Sequence, residues 1–318
     1  MVQIMLENLY MTTFTLRLIG TAINLALSFV PRNYKQKDKG ISNTSHVHVG
    51  IKGGWQYKEF RSSESGFTHR YYYHPGPDKN APVFLFLHGL AFDGRNFLNV
   101  SSLAEKWQLI AYNFPETSKV YRGDMNDFKY LIDDFLDSLG IDSLYLCGVS
   151  FGGGIATRFA ASHVRRVRAL VLVSTFIMNS SRFDRIKSRE MARIILKNPD
   201  YKLRWLIDYA YGHSLNGKNN PMRELSSIIK VKELDWYRQV VRAITTCEGP
   251  EDAVQIKCPV MALHGSKDKT IPLKSARSIP KYIPHASFEV IENGTHAMMY
   301  LQGEDMAARI MNFCKGLL

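Results

Sequence analysis

The junction at Gly148-Val149-Ser150-Phe151-Gly152 constrains this chain more than any other stretch. Leu144, Tyr145, Leu146 and Cys147 lead into it as a short apolar run, which reads as a strand buried on both faces. Ile155, Ala156, Phe159, Ala160 and Ala161 leave it with the small-residue pattern of a helix packed closely on a sheet. A serine between strand and helix, with glycine two positions to either side, sits on a turn that only hydrogen-bearing Cα positions permit nearby. The strain lifts its hydroxyl clear of the sheet edge, which makes Ser150 a candidate nucleophile.

A serine hydroxyl reacts poorly at neutral pH unless a base takes its proton and a third group fixes the tautomer of that base. Cys258 to His264 reads as a buried strand that runs into Gly265-Ser266-Lys267-Asp268, so Asp268 falls just past a strand end. Ser287 to Ile291 reads as a further strand, and Glu292-Asn293-Gly294-Thr295-His296 follows before a terminal helix. Asp268 and His296 are therefore the expected acid and base. The rival for Asp268 is a surface carboxylate paired with Lys267 or Lys269. Another carboxylate position, after the strand Leu170–Thr175, is empty until Asp184. His88 and His264 each close a strand beside a glycine and read as loop-shaping residues, and His285 reads as a surface residue. Pro82 to Leu87 forms another apolar run, ending in His88-Gly89-Leu90. The backbone N–H groups of Leu90 and Phe151 are the expected donors to a developing oxyanion.

With four motifs in this order, the chain resembles the α/β-hydrolase-fold serine hydrolases, the group typified by small esterases and monoacylglycerol-lipase-like enzymes. The resemblance runs from about Tyr71 to the C-terminus. It implies an α/β fold with a mostly parallel central sheet flanked by helices, and an inserted helical cap. It implies a cofactor-independent enzyme that cleaves a carboxylic ester through a Ser150–His296–Asp268 triad and an acyl-enzyme. Thioester hydrolysis, acyl transfer and carbon–carbon bond hydrolysis use the same parts and stay open, as does a ligand-binding protein without turnover. Serine at 150 argues against the epoxide hydrolases and haloalkane dehalogenases of this fold, which attack through a carboxylate. One departure stands out. Where many relatives carry a glycine-rich loop, this chain follows Leu109–Phe114 with Pro115-Glu116-Thr117-Ser118.

The 318 residues divide on this reading into an apolar N-terminal helix (1–32), a polar linker (33–50), a core in two parts (51–175 and 253–318) and the cap (176–252). Within the cap, Met191, Ile194 and Ile195, then Trp205, Leu206 and Tyr209, recur at helical spacing. Phe176, Ile177, Met178 and Phe183 are the candidate lining of an apolar pocket, with Trp205, Tyr209, Trp236 and Tyr237 as further candidates. Cys147, Cys247, Cys258 and Cys314 show neither metal-ligand nor disulfide-framework spacing, so no metal is expected. The net charge of +12 comes without a nucleic-acid recognition motif and suits contact with an anionic membrane surface. Leu18–Val30 is uncharged but short of the roughly twenty residues a span needs. The expectation is a cytoplasmic protein whose N-terminal helix packs on the core or lies at a membrane interface beside Arg32, Lys35, Lys37 and Lys39.

Overall fold

The computed structural model describes residues 23–30, 52–90, 92–115, 125–177, 189–190, 193, 196–199, 234–246 and 253–317. Eight strands form one sheet in the order β1-β2-β4-β3-β5-β6-β7-β8. They are β1 (Gln56–Arg61), β2 (Thr68–His74), β3 (Val83–Leu87), β4 (Gln108–Asn113), β5 (Leu144–Val149), β6 (Val167–Val173), β7 (Val260–Gly265) and β8 (Ser287–Ile291). β1 pairs antiparallel with β2, and β2 with β4, whereas all neighbours from β4 onward are parallel. The central strands are apolar on both faces because both faces are covered. Leu85, Leu87, Leu144, Leu146, Leu170 and Leu172 face α1 (Met125–Ser138), α2 (Phe151–Ser162) and α3 (Leu234–Thr246). Phe84, Phe86, Tyr145, Cys147, Val171 and Leu263 face a 3-10 segment (Gly94–Glu105) and α4 (Gly303–Cys314).

This topology fixes where a site can form. β3 lies between β4 and β5, so the chain leaves β3 toward one side of the sheet and later returns on the other. Connections that part in opposite directions open a crevice at the carboxyl ends of the strands. His88 to Leu90 follow β3 at that crevice, and Ser150 follows β5 beside them.

The strand boundaries differ from the sequence reading in instructive ways. β6 starts three residues before Leu170, at Val167, and stops at Val173. Ser174 takes φ 48°, a left-handed conformation that no strand continues, so Ser174 and Thr175 belong to the turn beyond. β3 stops at Leu87, where the apolar run ends, and the His88 ring beyond it bonds the Gly89 carbonyl and the Phe114 N–H. Of the N-terminal helix, residues 23–28 are described and helical, with Leu27 and Val30 buried. Residues 1–22 and the linker 33–50 lie outside the described residues, as does most of the segment assigned to the cap. In the described part of that segment, Val240 and Ala243 of α3 pack into the core layer of α1 and α2.

Candidate active site

Ser150 sits at the end of β5 with φ 53° and ψ −116°. A residue other than glycine at positive φ carries strain of about 1–3 kcal/mol and persists only where its surroundings hold it. Here they do. The Ser150 N–H donates to the Val173 carbonyl at 2.9 Å, and the Thr175 hydroxyl donates to the Ser150 carbonyl at 2.8 Å. The flanking glycines are steric requirements: a Cβ at Gly148 would strike the Gly152 backbone, and one at Gly152 would strike the Leu87 and His88 carbonyls. The close approach that results brings α2 down onto β3 with its first N–H groups aimed at the crevice. Phe151 is the first residue of that helix, so its N–H has no acceptor within the helix.

Asp268 and His296 come from consecutive strand ends. The His296 Nδ1–H donates to Asp268 Oδ2 at 2.8 Å. The other carboxylate oxygen, Oδ1, accepts the backbone N–H groups of Thr270 at 2.8 Å and Ile271 at 2.9 Å. The Asp268 side chain is completely buried, while 17% of the His296 side chain is exposed. Burial alone would raise the Asp268 carboxyl, but the hydrogen bond and charge of His296 and the Ile271 N–H outweigh it. The carboxyl is held below its ordinary value, and Asp268 is a carboxylate at neutral pH. With Nδ1 committed to Asp268, the second ring nitrogen of His296, Nε2, is the one able to accept a proton.

Two loops are zipped together to make this pair. Gly265 at the end of β7 and Gly294 after β8 face each other so closely that a side chain on either would displace the other's backbone. Lys267 N–H donates to the Gly294 carbonyl at 2.8 Å, and Asn293 N–H to Ser266 Oγ at 2.9 Å. Sequence reasoning had singled out neither Gly265 nor Gly294 for this contact. The available signal was a glycine shortly before both the acid and the histidine.

The loop after β3 meets the serine from the opposite side. A Cβ on Gly89 would lie 3.3 Å from Ser150 Cβ, which measures how tightly the loop holding Leu90 abuts the elbow. His88 shapes that loop. Its Nε2 accepts the Phe114 N–H at 3.1 Å, so the proton is on Nδ1 and is donated to the Gly89 carbonyl at 2.9 Å. Burial pushes the His88 pKa down and keeps the ring neutral. Phe92, on the same loop, packs on Ala297 next to the candidate base, so the oxyanion-side loop and the histidine loop support each other.

The candidate pocket residues are placed unevenly. Phe176 is half-buried, whereas Ile177 is buried in the core layer with Val240 and Ile279. Met178 and Phe183 lie outside the described residues. Cys147, Cys258 and Cys314 are buried thiols, with burial pushing Cys258 up to about 11 and Cys314 to about 12. Among the described residues no cluster of His, Cys, Asp or Glu could hold a metal ion.

Comparison with known proteins identifies the family and the fold. The sequence model of the alpha/beta hydrolase fold matches residues 82–302. Lipase 1 of Psychrobacter immobilis is 27% identical over 231 residues, 68% of this chain and 71% of the lipase. A monoacylglycerol lipase of Xenopus laevis is 22% identical over 268 residues, 76% of this chain and 78% of its own. Among solved structures, a thermophilic esterase from Thermogutta terrifontis superposes with a TM-score of 0.66 at 17% identity, over 82% of this chain and 99% of the esterase. At that identity the structural likeness speaks for the fold alone.

Proposed function

The chain belongs to the alpha/beta hydrolase fold family and is an esterase/lipase-like hydrolase, and from that premise we propose that Ser150, His296 and Asp268 cleave a carboxylic ester through an acyl-enzyme. The observation that carries the proposal is the Nδ1-bound pair His296–Asp268, past the carboxyl ends of β8 and β7, with Ser150 held in a strained turn past the carboxyl end of β5 on the same edge of the sheet. Ser150 Oγ attacks the acyl carbon while its proton passes to His296 Nε2, and Asp268 stabilises the imidazolium that forms. The carbonyl oxygen takes up the negative charge between the N–H groups of Leu90 and Phe151. Collapse breaks the ester bond, and the alcohol leaves with the proton from His296. Water then gives its proton to His296 and attacks the acyl-serine, releasing the acid and restoring the enzyme.

An apolar acyl group, as in a short lipid such as a monoacylglycerol, is the substrate class we favour, with half-buried Phe176 on its path. The support is the position of Phe176 just past the end of β6, at the crevice, and the names of the relatives. Peripheral contact with an anionic membrane belongs to the same proposal. Its support is the exposure of Leu25 (62%) and Phe29 (80%), one helical turn apart, on a protein of net charge +12. Among the described residues no helix is long and apolar enough to cross a membrane. The test of the chemistry is hydrolysis of p-nitrophenyl esters from acetate to palmitate, with Ser150→Ala alongside. Activity that peaks at one chain length and vanishes in the variant supports the proposal. Equal rates in both proteins reject Ser150 as nucleophile. For the membrane contact, liposome flotation should weaken when residues 1–30 are deleted, and unchanged flotation rejects it.

A further inference from the structure

His264 does not touch Ser150 in the scheme above, yet it is buried at the root of the acid loop with only 1% of its surface exposed. Its Nε2 lies 2.9 Å from the Ile271 carbonyl. A carbonyl oxygen can only accept, so the proton resides on Nε2. The other nitrogen, Nδ1, is buried without a hydrogen-bond partner among the described residues, which suits a bare lone pair and not a second N–H. Ile271 is thus gripped through both of its backbone groups. Its C=O is held by His264, and its N–H is held by Asp268 Oδ1. His264 Nε2 also stands 3.7 Å from Asp268 Oδ2, the oxygen that receives His296.

We propose that His264 is a positioning residue for the acid: by anchoring the Ile271 carbonyl it fixes the 268–271 turn, and so aims Asp268 Oδ2 at His296. The inference rests on the triad reading and adds a fourth residue to it. Two groups that titrate face the ring, Asp268 and His296. Burial lowers the His264 pKa, against the pull of Asp268 and the Ile271 bond and with the push of His296. A neutral ring that directs its only proton at a carbonyl leaves the Asp268 charge to His296. A charged ring at that distance would compete for it.

The variants are His264→Phe, which keeps the ring volume and removes the donor, and His264→Gln, whose amide nitrogen reaches about as far as Nε2. Ester hydrolysis is followed as kcat and KM separately, with Ser150→Ala as the blank. Misdirecting a catalytic group by about 1 Å can cost on the order of 100-fold. His264→Phe should lose about 10- to 100-fold in kcat with KM unchanged, and His264→Gln should recover most of that loss. A second readout needs no turnover: the low-field NMR proton of the His296 Nδ1–Asp268 bond should persist in His264→Gln and be lost or shifted in His264→Phe. If His264→Phe does not fold, His264→Asn, too short to reach Ile271, replaces it. Wild-type kcat with an unshifted proton in the Phe or Asn variant overturns the proposal, and so does a Gln variant as impaired as Phe. Absence of Ser150-dependent turnover in the wild type would strike the hydrolase proposal instead, and the NMR proton would then decide the role of His264.

Discussion

Asp268→Asn changes one atom and separates the electrostatic from the steric duty of the acid. Asparagine has a single side-chain oxygen, and two positions in the structure want it. At the Oδ1 position wait the N–H groups of Thr270 and Ile271, at 2.8 and 2.9 Å, and at the Oδ2 position waits the Nδ1–H of His296. Turning the amide NH2 toward the two backbone donors would leave both buried and unpaired, at about 1–3 kcal/mol each. Turning it toward His296 costs much less, because imidazole can move its proton from Nδ1 to Nε2 and accept. The oxygen therefore stays with Thr270 and Ile271, and His296 is trapped in the tautomer that cannot take a proton from Ser150. The same substitution in a serine protease lowers kcat by about 10⁴, or about 5 kcal/mol of transition-state stabilisation, and a loss of that order is expected here. Folding should weaken far less, by about 1–3 kcal/mol, for the one charge-assisted hydrogen bond removed. Ester turnover and urea denaturation, measured on the same preparation, read the two effects. A variant within tenfold of wild type in kcat would refute the tautomer argument, and so would a catalytic loss fully accounted for by unfolding.

Gly152→Ala should be severely damaging, because the new Cβ meets the carbonyls of Leu87, at the end of the central strand β3, and of His88 beyond it. We expect a loss of about 3 kcal/mol or more in a denaturant titration, and a loss under 1 kcal/mol would show that the elbow can relax. Thr175→Val removes the hydroxyl that donates to the Ser150 carbonyl at 2.8 Å. About 1 kcal/mol of stability should go with it, along with a fall in kcat at constant KM; unchanged kcat would mean that the Ser150 backbone needs no such brace. Asp134 is bonded to Ser62 and Ser65 of the β1–β2 turn and to His69; burial raises its carboxyl, but Ser65, Ser62 and His69 outweigh that and hold it below its ordinary 3.8. A depressed folded value means that the unfolded chain binds the proton more readily, so this stabilisation is complete above 3.8 and disappears as pH falls through the folded value. Asp134→Asn should accordingly flatten the stability–pH curve below 3.8, and a curve parallel to wild type there would refute it.

What could be read from the sequence follows the range over which each interaction acts. The buried strands were legible because an apolar run needs no partner to declare itself, and Phe84, Leu146 and Leu172 are all fully buried. Ser150 was legible because the elbow writes its steric demand into adjacent positions. Asp268 and His296 could be proposed from their place past strand ends, but their meeting depends on Gly265 touching Gly294, a contact between residues remote in sequence. The ladder of β6 illustrates another limit. Its apolar letters continue into small polar residues without a break, and only the left-handed turn at Ser174 shows where pairing ends. His264 and His88 both read as loop-shaping residues beside a glycine, yet their protons lie on opposite nitrogens. The difference comes from what each ring meets: a Phe114 N–H on Nε2 of His88, an Ile271 carbonyl on Nε2 of His264. No local pattern encodes that.

Backbone strain in the described residues is distributed in a way that argues for function on its own. The non-glycine residues at positive φ are Ser150, Ser174 and Asn293. Each lies within two residues of the carboxyl end of a strand, β5, β6 and β8 respectively, so all belong to one edge of the sheet. The four glycines at positive φ, Gly53, Gly54, Gly66 and Gly140, lie in other turns, where nature used the residue that adopts the conformation freely. At the crevice edge it did not, although glycine at 174 or 293 would relieve about 1–3 kcal/mol of strain at each. For Ser150 the reason is the hydroxyl. At Asn293 the conformation lets the backbone N–H reach Ser266 Oγ, which draws the histidine loop onto the acid loop. Ser174 takes the turn between Val173, whose carbonyl receives the Ser150 N–H, and Thr175, whose hydroxyl holds the Ser150 carbonyl. Both outlying strained residues thus stand beside a contact that positions a member of the triad. Strain that served only to close loops would be scattered over both ends of the sheet, and here it is gathered at the end where the serine is.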